Sequence, residues 1–286
     1  MDVQHPKLAK WMSPVVMERE RRLLIAINAI PCQKVRRFLR VAAASQMISA
    51  SNMKFRPNIC YSKQPVADAP VLAMFLVRAA EMIEDYQAAR NPQAPTPLIL
   101  RGDARCDGPD HADVIFTSPP YPNDMEYVHQ TRLELTLLSY VQNAGELTDL
   151  KKQMISSSVK LVYKQNDWQK HMGLKLDSVR RIYEEIAETL EGRGWGWNAA
   201  DMVAHYFGGM QTVFENWASR LRVGGRVGCV IGNSAFNGVK VPTDEILCEL
   251  AVLSGFAVKE IDVFRSRRHN KHTCDLRESV LVLENV

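Results

Sequence analysis

Glycine is missing from the first hundred residues of the chain, and all 15 glycines lie at or after Gly102. A loop that brings its backbone close to a phosphate or a nucleoside usually needs glycine, because a Cβ atom would block the approach. A glycine-rich cofactor loop is therefore excluded from this part of the chain.

Long apolar runs and closely spaced metal ligands are also missing. The longest apolar stretch, residues 69–80, contains Arg78 and falls short of the ~20 residues that cross a bilayer, so we expect no membrane span. No apolar core of a secretion signal follows Met1, and the six cysteines lie far apart, which favours reduced thiols in the cytoplasm and argues against a zinc site. The histidines share no spacing with carboxylates or cysteines, so no metal site is expected.

What the chain does contain is typical of a globular protein. Hydrophobic residues make up 46% and charged residues 24% of the sequence. Its 36 basic and 32 acidic residues give a formal net charge of +4, which permits an anionic partner without requiring one.

Residues 1–97 are predicted to be a helical region, with helices over residues 17–30, 33–47 and 70–89 and an ordered loop over residues 49–67. The pattern then changes to short apolar strands that alternate with helices. The strands are predicted at residues 98–100, 113–116, 226–231, 257–264 and 279–283.

This alternation predicts an α/β fold with a mainly parallel sheet covered on both faces. The last two strands are joined without a helix, so we expect them to form an antiparallel hairpin. Residues 98–286 would form one domain that includes a long helix over residues 127–142, and the polar segment 144–197 is a candidate target-recognition insertion.

The sharpest local signal is Ser118-Pro119-Pro120-Tyr121, which directly follows the predicted strand 113–116. In open α/β sheets, ligands bind beyond the carboxyl ends of the strands, where this tetrapeptide would lie. The alternative interpretation is an ordinary proline-rich turn with a packed tyrosine.

The tetrapeptide resembles the catalytic motif of the DNA methyltransferases that methylate exocyclic amines, and its serine form is most often associated with N4 of cytosine. The resemblance implies a Rossmann-like sheet, DNA as substrate and S-adenosyl-L-methionine as cofactor. Residues 101–105 are similar to the third strand of that family, which would place Asp103 beside the adenine of the cofactor. The strand ending at residues 232–234 and the segment 277–279 are similar as well.

The motif has residue types that suit this chemistry. The Ser118 hydroxyl and the Pro119 carbonyl can accept both hydrogens of an exocyclic amine, which favours a localised lone pair on its nitrogen. Pro119 and Pro120 make the turn rigid before reaction, and Tyr121 offers a flat face to a base rotated out of the duplex. Asn123 and Tyr127 follow closely enough to line the base pocket.

Basic residues cluster between the last two predicted strands. We expect this segment to be a loop that binds the phosphates of the DNA backbone. The alternative is a solvated hairpin tip. Its DNA-binding residues would be Arg265, Arg267, Arg268 and Lys271.

One departure from the family pattern is large. The methyl-donor loop, Asp-Pro-Phe-x-Gly-x-Gly after the first strand, is absent, and so is the acidic residue that ends the second strand. Without those strands, strand 113–116 would expose an apolar edge with unpaired backbone groups. We therefore expect a second protein chain to supply the first two strands and the donor loop, so that the sheet of this chain is an incomplete methyltransferase sheet.

Two functions remain open. The first is the catalytic subunit or half of a split S-adenosylmethionine-dependent DNA amino-methyltransferase, active only with its partner, with cytosine N4 favoured over adenine N6. The second is a non-catalytic DNA-binding or scaffolding subunit of a restriction-modification or phage-defence complex. The intact Ser-Pro-Pro-Tyr motif favours the first function, and the missing donor loop favours the second.

Overall fold

The computed structural model describes residues 7–56, 58–190, 199–268 and 275–286. It divides the chain into two compact units. The first unit contains residues 1–97 and 127–151, and the second contains residues 98–126 and 152–286.

The first unit is built mainly from helices. Its elements are α1 (Leu8–Trp11), α2 (Pro14–Asn28), α3 (Gln33–Met47), β1 (Met53–Arg56), β2 (Asn58–Tyr61), α4 (Val71–Ala89), α5 (Tyr127–Gln130), α6 (Arg132–Leu137) and α7 (Ala144–Lys152). Helix α2 begins earlier than predicted because the Ser13 hydroxyl accepts a hydrogen bond from the Val16 N–H and Pro14 opens the first turn. Strands β1 and β2 form an antiparallel hairpin inside the predicted loop 49–67.

The core of this unit joins helices that are distant in the sequence. Leu24 of α2, Met47 of α3, Phe75 of α4 and Leu133 of α6 are buried in one cluster. The single helix predicted over residues 127–142 is wrong, because the chain forms α5 and α6 with a break between them. Residue Ser139, just beyond α6, has a φ of 60°, which no regular helix permits.

The second unit has an α/β fold. Its elements are β3 (Ala112–Thr117), α8 (Asp167–Gly173), α9 (Asp177–Leu190), α10 (Ala199–Arg220), β4 (Leu221–Gly232), β5 (Ser234–Phe236), β6 (Val239–Val241), α11 (Thr243–Leu253), β7 (Phe256–Arg268) and β8 (Asp275–Asn285). None of the helices that the structure describes, in either unit, is long and apolar enough to cross a membrane.

The main sheet is mixed, with four strands in the order β3-β4-β8-β7. Strands β7 and β8 form the predicted antiparallel hairpin at one edge. The mainly parallel sheet is wrong for the described residues: β3 pairs with β4 in parallel, whereas β8 is antiparallel to both β4 and β7. A mixed sheet of four strands with helices is compatible with a methyltransferase-like fold, and among the described strands it contains one parallel pairing.

Strand β3 forms the other edge of the sheet, and it is apolar and exposed. The side chains of Val114 and Phe116 are 65% and 76% exposed. The strand predicted at residues 98–100 is wrong, because these residues are irregular and solvent-exposed. A short apolar segment becomes a strand only when a neighbour pairs with its backbone, and none of the described strands does so here.

Helix α8 crosses helix α10 at very short range through two glycines. A Cβ atom at Gly173 would overlap the carbonyl oxygen of Ala204, and one at Gly208 would overlap that of Gln169. Helix α9 packs on the hydrophobic core of the second unit through buried Val179 and other apolar residues. The described part of segment 144–197 that lies in the second unit is thus packed on the core, and its role in target recognition stays a prediction.

Candidate active site

The Ser118-Pro119-Pro120-Tyr121 turn begins where strand β3 ends. Thr117, the last residue of β3, is paired in parallel with Cys229 of β4, so the carboxyl ends of both strands lie at the same edge of the sheet. The sequence predicted this location, at which α/β sheets bind their ligands.

Within the turn, a tyrosine ring packs on a glycine. The Tyr121 ring lies 3.0 Å from the position that a Cβ atom of Gly232 would occupy, so the absence of a side chain makes room for the ring. The Ser118 hydroxyl is exposed and donates a long hydrogen bond of 3.4 Å to the Tyr121 hydroxyl, whereas Pro119 is buried. The serine is thus open to a ligand while the turn itself is held by packing.

A second segment anchors the chain after the turn. Asp124 adopts a φ of 62°, and its N–H donates to the Ser157 carbonyl over 3.0 Å. The Ser158 hydroxyl donates to the Asp124 carboxylate over 2.7 Å, and the Ser157 hydroxyl donates to the Met125 carbonyl over 2.9 Å. The sequence alone assigned no role to these serines, although three consecutive serines, residues 156–158, stand out in a polar segment.

Two further residues were predicted to line a base pocket. Asn123 is exposed beside the turn, and its N–H donates to the Tyr121 carbonyl over 2.8 Å. Tyr127 is exposed at the start of α5 and belongs to the first unit. Their roles in binding stay predictions.

Asp103 is engaged in an ion pair with a neighbour. The Arg105 guanidinium donates to both carboxylate oxygens of Asp103, with distances of 2.9 Å and 2.6 Å, and this contact holds the pKa of that carboxyl below its usual value. Arg105 also donates to the Gln153 carbonyl over 2.7 Å. The predicted contact with a cofactor adenine would have to share this carboxylate with Arg105.

The turn that carries Asp103 is fixed to the end of helix α10. The Asn216 amide donates to the carbonyls of Ala104 and Asp107, each over 3.0 Å. The Arg220 guanidinium donates to three more carbonyls in the same turn, among them that of Cys106 over 2.9 Å. These long-range contacts gave no signal in the local sequence.

A buried polar network follows the carboxyl end of β4. The Asn233 side-chain oxygen accepts from the Asp244 N–H over 3.1 Å, and the Asp244 carboxylate accepts from Arg277 and Ser279 over 2.5 Å and 3.0 Å. Burial alone would raise the pKa of Asp244, but hydrogen bonds from Arg277 and Ser279 outweigh it and hold the pKa below its ordinary value. The network therefore keeps a carboxylate ionised inside the protein.

Residues 265–268 of the predicted basic loop form strand instead, because β7 continues through Arg268, which pairs with Asp275 of β8, whereas residues 269–272 of that loop lie outside the described part of the structure. The Arg265 side chain is exposed, with its guanidinium 3.6 Å from Glu278. The side chains of Arg267 and Arg268, and all of Lys271, lie outside the described part of the structure.

Among the described residues, no group of three or more histidine, cysteine, aspartate or glutamate side chains is arranged to hold a metal ion.

Two relatives share similarity with part of the chain. They are Type II methyltransferase M.AvaI of Nostoc sp. (strain PCC 7120 / SAG 25.82 / UTEX 2576) and the protein of the same name from Anabaena variabilis, each 28% identical over 166 residues. The similarity supports a methyltransferase relationship. The matched region covers 56% of this chain and 34% of each relative, so the chain spans about a third of the length of these methyltransferases.

No family model matches the chain, and no solved structure matches it. The relationship to the M.AvaI methyltransferases therefore rests on sequence similarity.

Proposed function

We propose that this chain carries the catalytic half of an S-adenosyl-L-methionine-dependent DNA amino-methyltransferase whose target is N4 of cytosine. The observation that carries the proposal is the rigid Ser118-Pro119-Pro120-Tyr121 turn at the carboxyl edge of the sheet, with Ser118 exposed and Tyr121 packed on Gly232. The similarity to Type II methyltransferases supports the same reaction class.

The turn has the groups that methylation of an exocyclic amine needs. Such an amine is a poor nucleophile because its lone pair is delocalised into the base. The Ser118 hydroxyl and the Pro119 carbonyl accept its two hydrogens, and their positions are fixed before reaction by the two prolines. Tyr121 stacks on the flipped base.

When bound, S-adenosyl-L-methionine supplies a methyl group on a sulfonium centre. The residues of this chain fit only part of that cofactor. Asp103 is the candidate contact with the cofactor, although its carboxylate already accepts hydrogen bonds from the Arg105 guanidinium. The first hundred residues contain no glycine that could form a donor loop. We therefore assign the remainder of the donor site to another polypeptide.

The exposed edge of β3 is where that polypeptide would bind. Among the described strands, β3 has a neighbour on one side only, and its apolar side chains Val114 and Phe116 are exposed, a surface that favours pairing with another strand. A parallel strand added there would extend the β3–β4 pairing and bring a donor loop toward the catalytic turn.

The catalytic role is tested by Ser118→Ala and Tyr121→Ala in the full chain, purified with a polypeptide that supplies the donor loop. Loss of one preorganised polar contact in an active site typically costs about 10²- to 10³-fold in rate, so we expect Ser118→Ala to slow tritium transfer from labelled donor to DNA by that factor. Tyr121→Ala should also slow transfer strongly.

Ser178→Ala is the matched control, because Ser178 lies at the start of α9 and donates to Glu249, away from the turn. It should keep the wild-type rate. Wild-type rates in both Ser118→Ala and Tyr121→Ala would remove the turn from the mechanism.

The Asp103–Arg105 ion pair favours a second candidate, a non-catalytic DNA-binding or scaffolding subunit of a restriction-modification or phage-defence complex. In that case the carboxylate would be purely structural. The same assay separates the two functions, since a scaffolding subunit would bind DNA and transfer no methyl groups with any partner.

A further inference from the structure

Two buried polar groups without partners lie directly after strand β4. Asn233 and Ser234 are only 3% and 4% exposed, and within the described part of the chain neither the Asn233 side-chain nitrogen nor the Ser234 hydroxyl has a hydrogen-bond partner. Buried polar groups in native proteins are nearly always paired, so two adjacent exceptions need an explanation.

The orientation of the Asn233 amide is fixed by its surroundings. Its oxygen must face the Asp244 N–H, which can only donate, so the unpaired end of the amide is its NH₂ group. Asp244 is itself held by Arg277 and Ser279. The NH₂ group therefore lies beside the Asp244 carboxylate, whose pKa it helps to lower, and it makes no regular hydrogen bond within the described part of the chain.

Both donors adjoin the catalytic turn. They follow Gly232, on whose backbone the Tyr121 ring packs. The Tyr121 ring is partly exposed, and its hydroxyl makes only a 3.4 Å contact with Ser118. Because both donors are buried, a neighbouring side chain such as the Tyr121 ring would have to move before a base could reach them.

The sides of the turn are not equivalent. The free edge of β3 lies on one side, where the proposed function places the donor loop, and β4 lies on the other. The target base would then enter over the end of β4, next to Asn233 and Ser234.

We propose that Asn233 and Ser234 bind the Watson–Crick edge of the target base and select cytosine; this inference rests on the proposed function. Next to its amine, cytosine presents two acceptors, the ring nitrogen N3 and the carbonyl O2. Adenine presents the single acceptor N1 followed by a C–H group, and thymine presents an N3–H donor. Two neighbouring donors therefore match cytosine.

The test is a titration of the full chain with neutral nucleosides, followed through the side-chain amide resonances of Asn233 in ¹⁵N-labelled protein. We expect deoxycytidine to shift these resonances and to bind at least about tenfold more tightly than deoxyadenosine or thymidine, because a site built to pair with acceptors rejects bases that lack them. Neutral nucleosides avoid any contribution from phosphate binding.

Ser234→Ala separates recognition from folding. Removal of an unpaired buried hydroxyl should leave the melting temperature unchanged or raise it, whereas deoxycytidine binding should weaken by about tenfold. Ser178→Ala should change neither quantity. Asn233→Asp, which keeps the acceptor for Asp244 and loses the donor, should also weaken binding.

The outcomes separate this inference from the proposed function. Methyl transfer by the wild-type complex without any response of Asn233 to deoxycytidine, or with equal responses to all three nucleosides, would overturn the recognition role alone. Selective deoxycytidine binding without methyl transfer by any complex would support the recognition site and contradict the proposed catalytic function.

Discussion

At the scale of single residues, the most unusual group outside the candidate site is Glu20 in helix α2. It is fully buried, and one carboxylate oxygen accepts a hydrogen bond of 2.5 Å from the Gln46 amide. Burial raises its pKa from 4.5 to about 7, and the hydrogen bond from Gln46 opposes this increase only in part. The folded protein therefore holds a proton that the unfolded chain releases near pH 4.5.

This difference predicts how stability depends on pH. The contribution of Glu20 is complete below pH 4.5 and is lost as the pH rises toward about 7, because the folded state binds more protons in this window. Glu20→Gln, which keeps the shape and stays neutral, should therefore stabilise the protein above pH 7 by on the order of 1–3 kcal/mol.

Urea unfolding at pH 5 and pH 8 measures this effect. Glu84→Gln, at an exposed position on α4, is the control and should change little at either pH. Equal stability of Glu20→Gln and wild type at pH 8 would mean that Glu20 is ionised at no cost.

At the scale of elements, strand β7 includes residues 265–268, the first part of the predicted basic loop. The backbone pairing continues to Arg268, so residues 265–268 belong to a strand that is paired with β8. A paired strand holds its side chains at a fixed spacing, which suits contacts with a regular phosphate backbone.

Replacement of Arg265, Arg267, Arg268 and Lys271 by alanine should weaken DNA binding for all sequences. Each phosphate contact adds about one unit to the slope of log affinity against log salt, so the slope should flatten by as much as ~3–4 units. Fluorescence anisotropy at several salt concentrations measures this slope. An unchanged slope with lost sequence preference would instead assign these residues to base recognition.

The sequence predicted those elements whose signals are local. Strand β3, helix α3 and the C-terminal hairpin follow from apolar patterns, and the Ser118 turn follows from a short motif. Segment 98–100 has the same apolar pattern as a strand but finds no neighbour, so pattern alone could not decide its structure.

The contacts that position the site join distant parts of the chain. Ser158 binds Asp124, and Asp244 fixes the amide of Asn233, in both cases through pairings that only the fold creates. The sequence therefore predicted the location of the Ser118 turn and missed the residues that hold it.

At the scale of the whole molecule, the exposed β3 edge predicts dependence on a partner. The isolated chain should bind S-adenosyl-L-methionine weakly or not at all by calorimetry, and a partner that carries the donor loop should restore binding. Completion of the sheet should bury more than about 2,000 Å² in total, as in obligate complexes. Micromolar donor binding by the isolated chain would contradict the split arrangement.

A charge on the edge tests where the partner binds. Val114→Lys should prevent copurification with the partner, because it places a charged group on the strand edge. Val252→Lys, at a similarly exposed position on α11, should leave the complex intact. Equal copurification of both variants would place the partner elsewhere.

The close crossing of α8 and α10 limits how the proposed target recognition could change during evolution. Gly173 and Gly208 leave no room for a side chain, so substitutions there would force the helices apart. If the segment that contains α8 selects the target sequence, new specificities cannot arise by tilting this helix. They would have to arise by substitution of surface side chains while the packing of α8 against α10 stays the same.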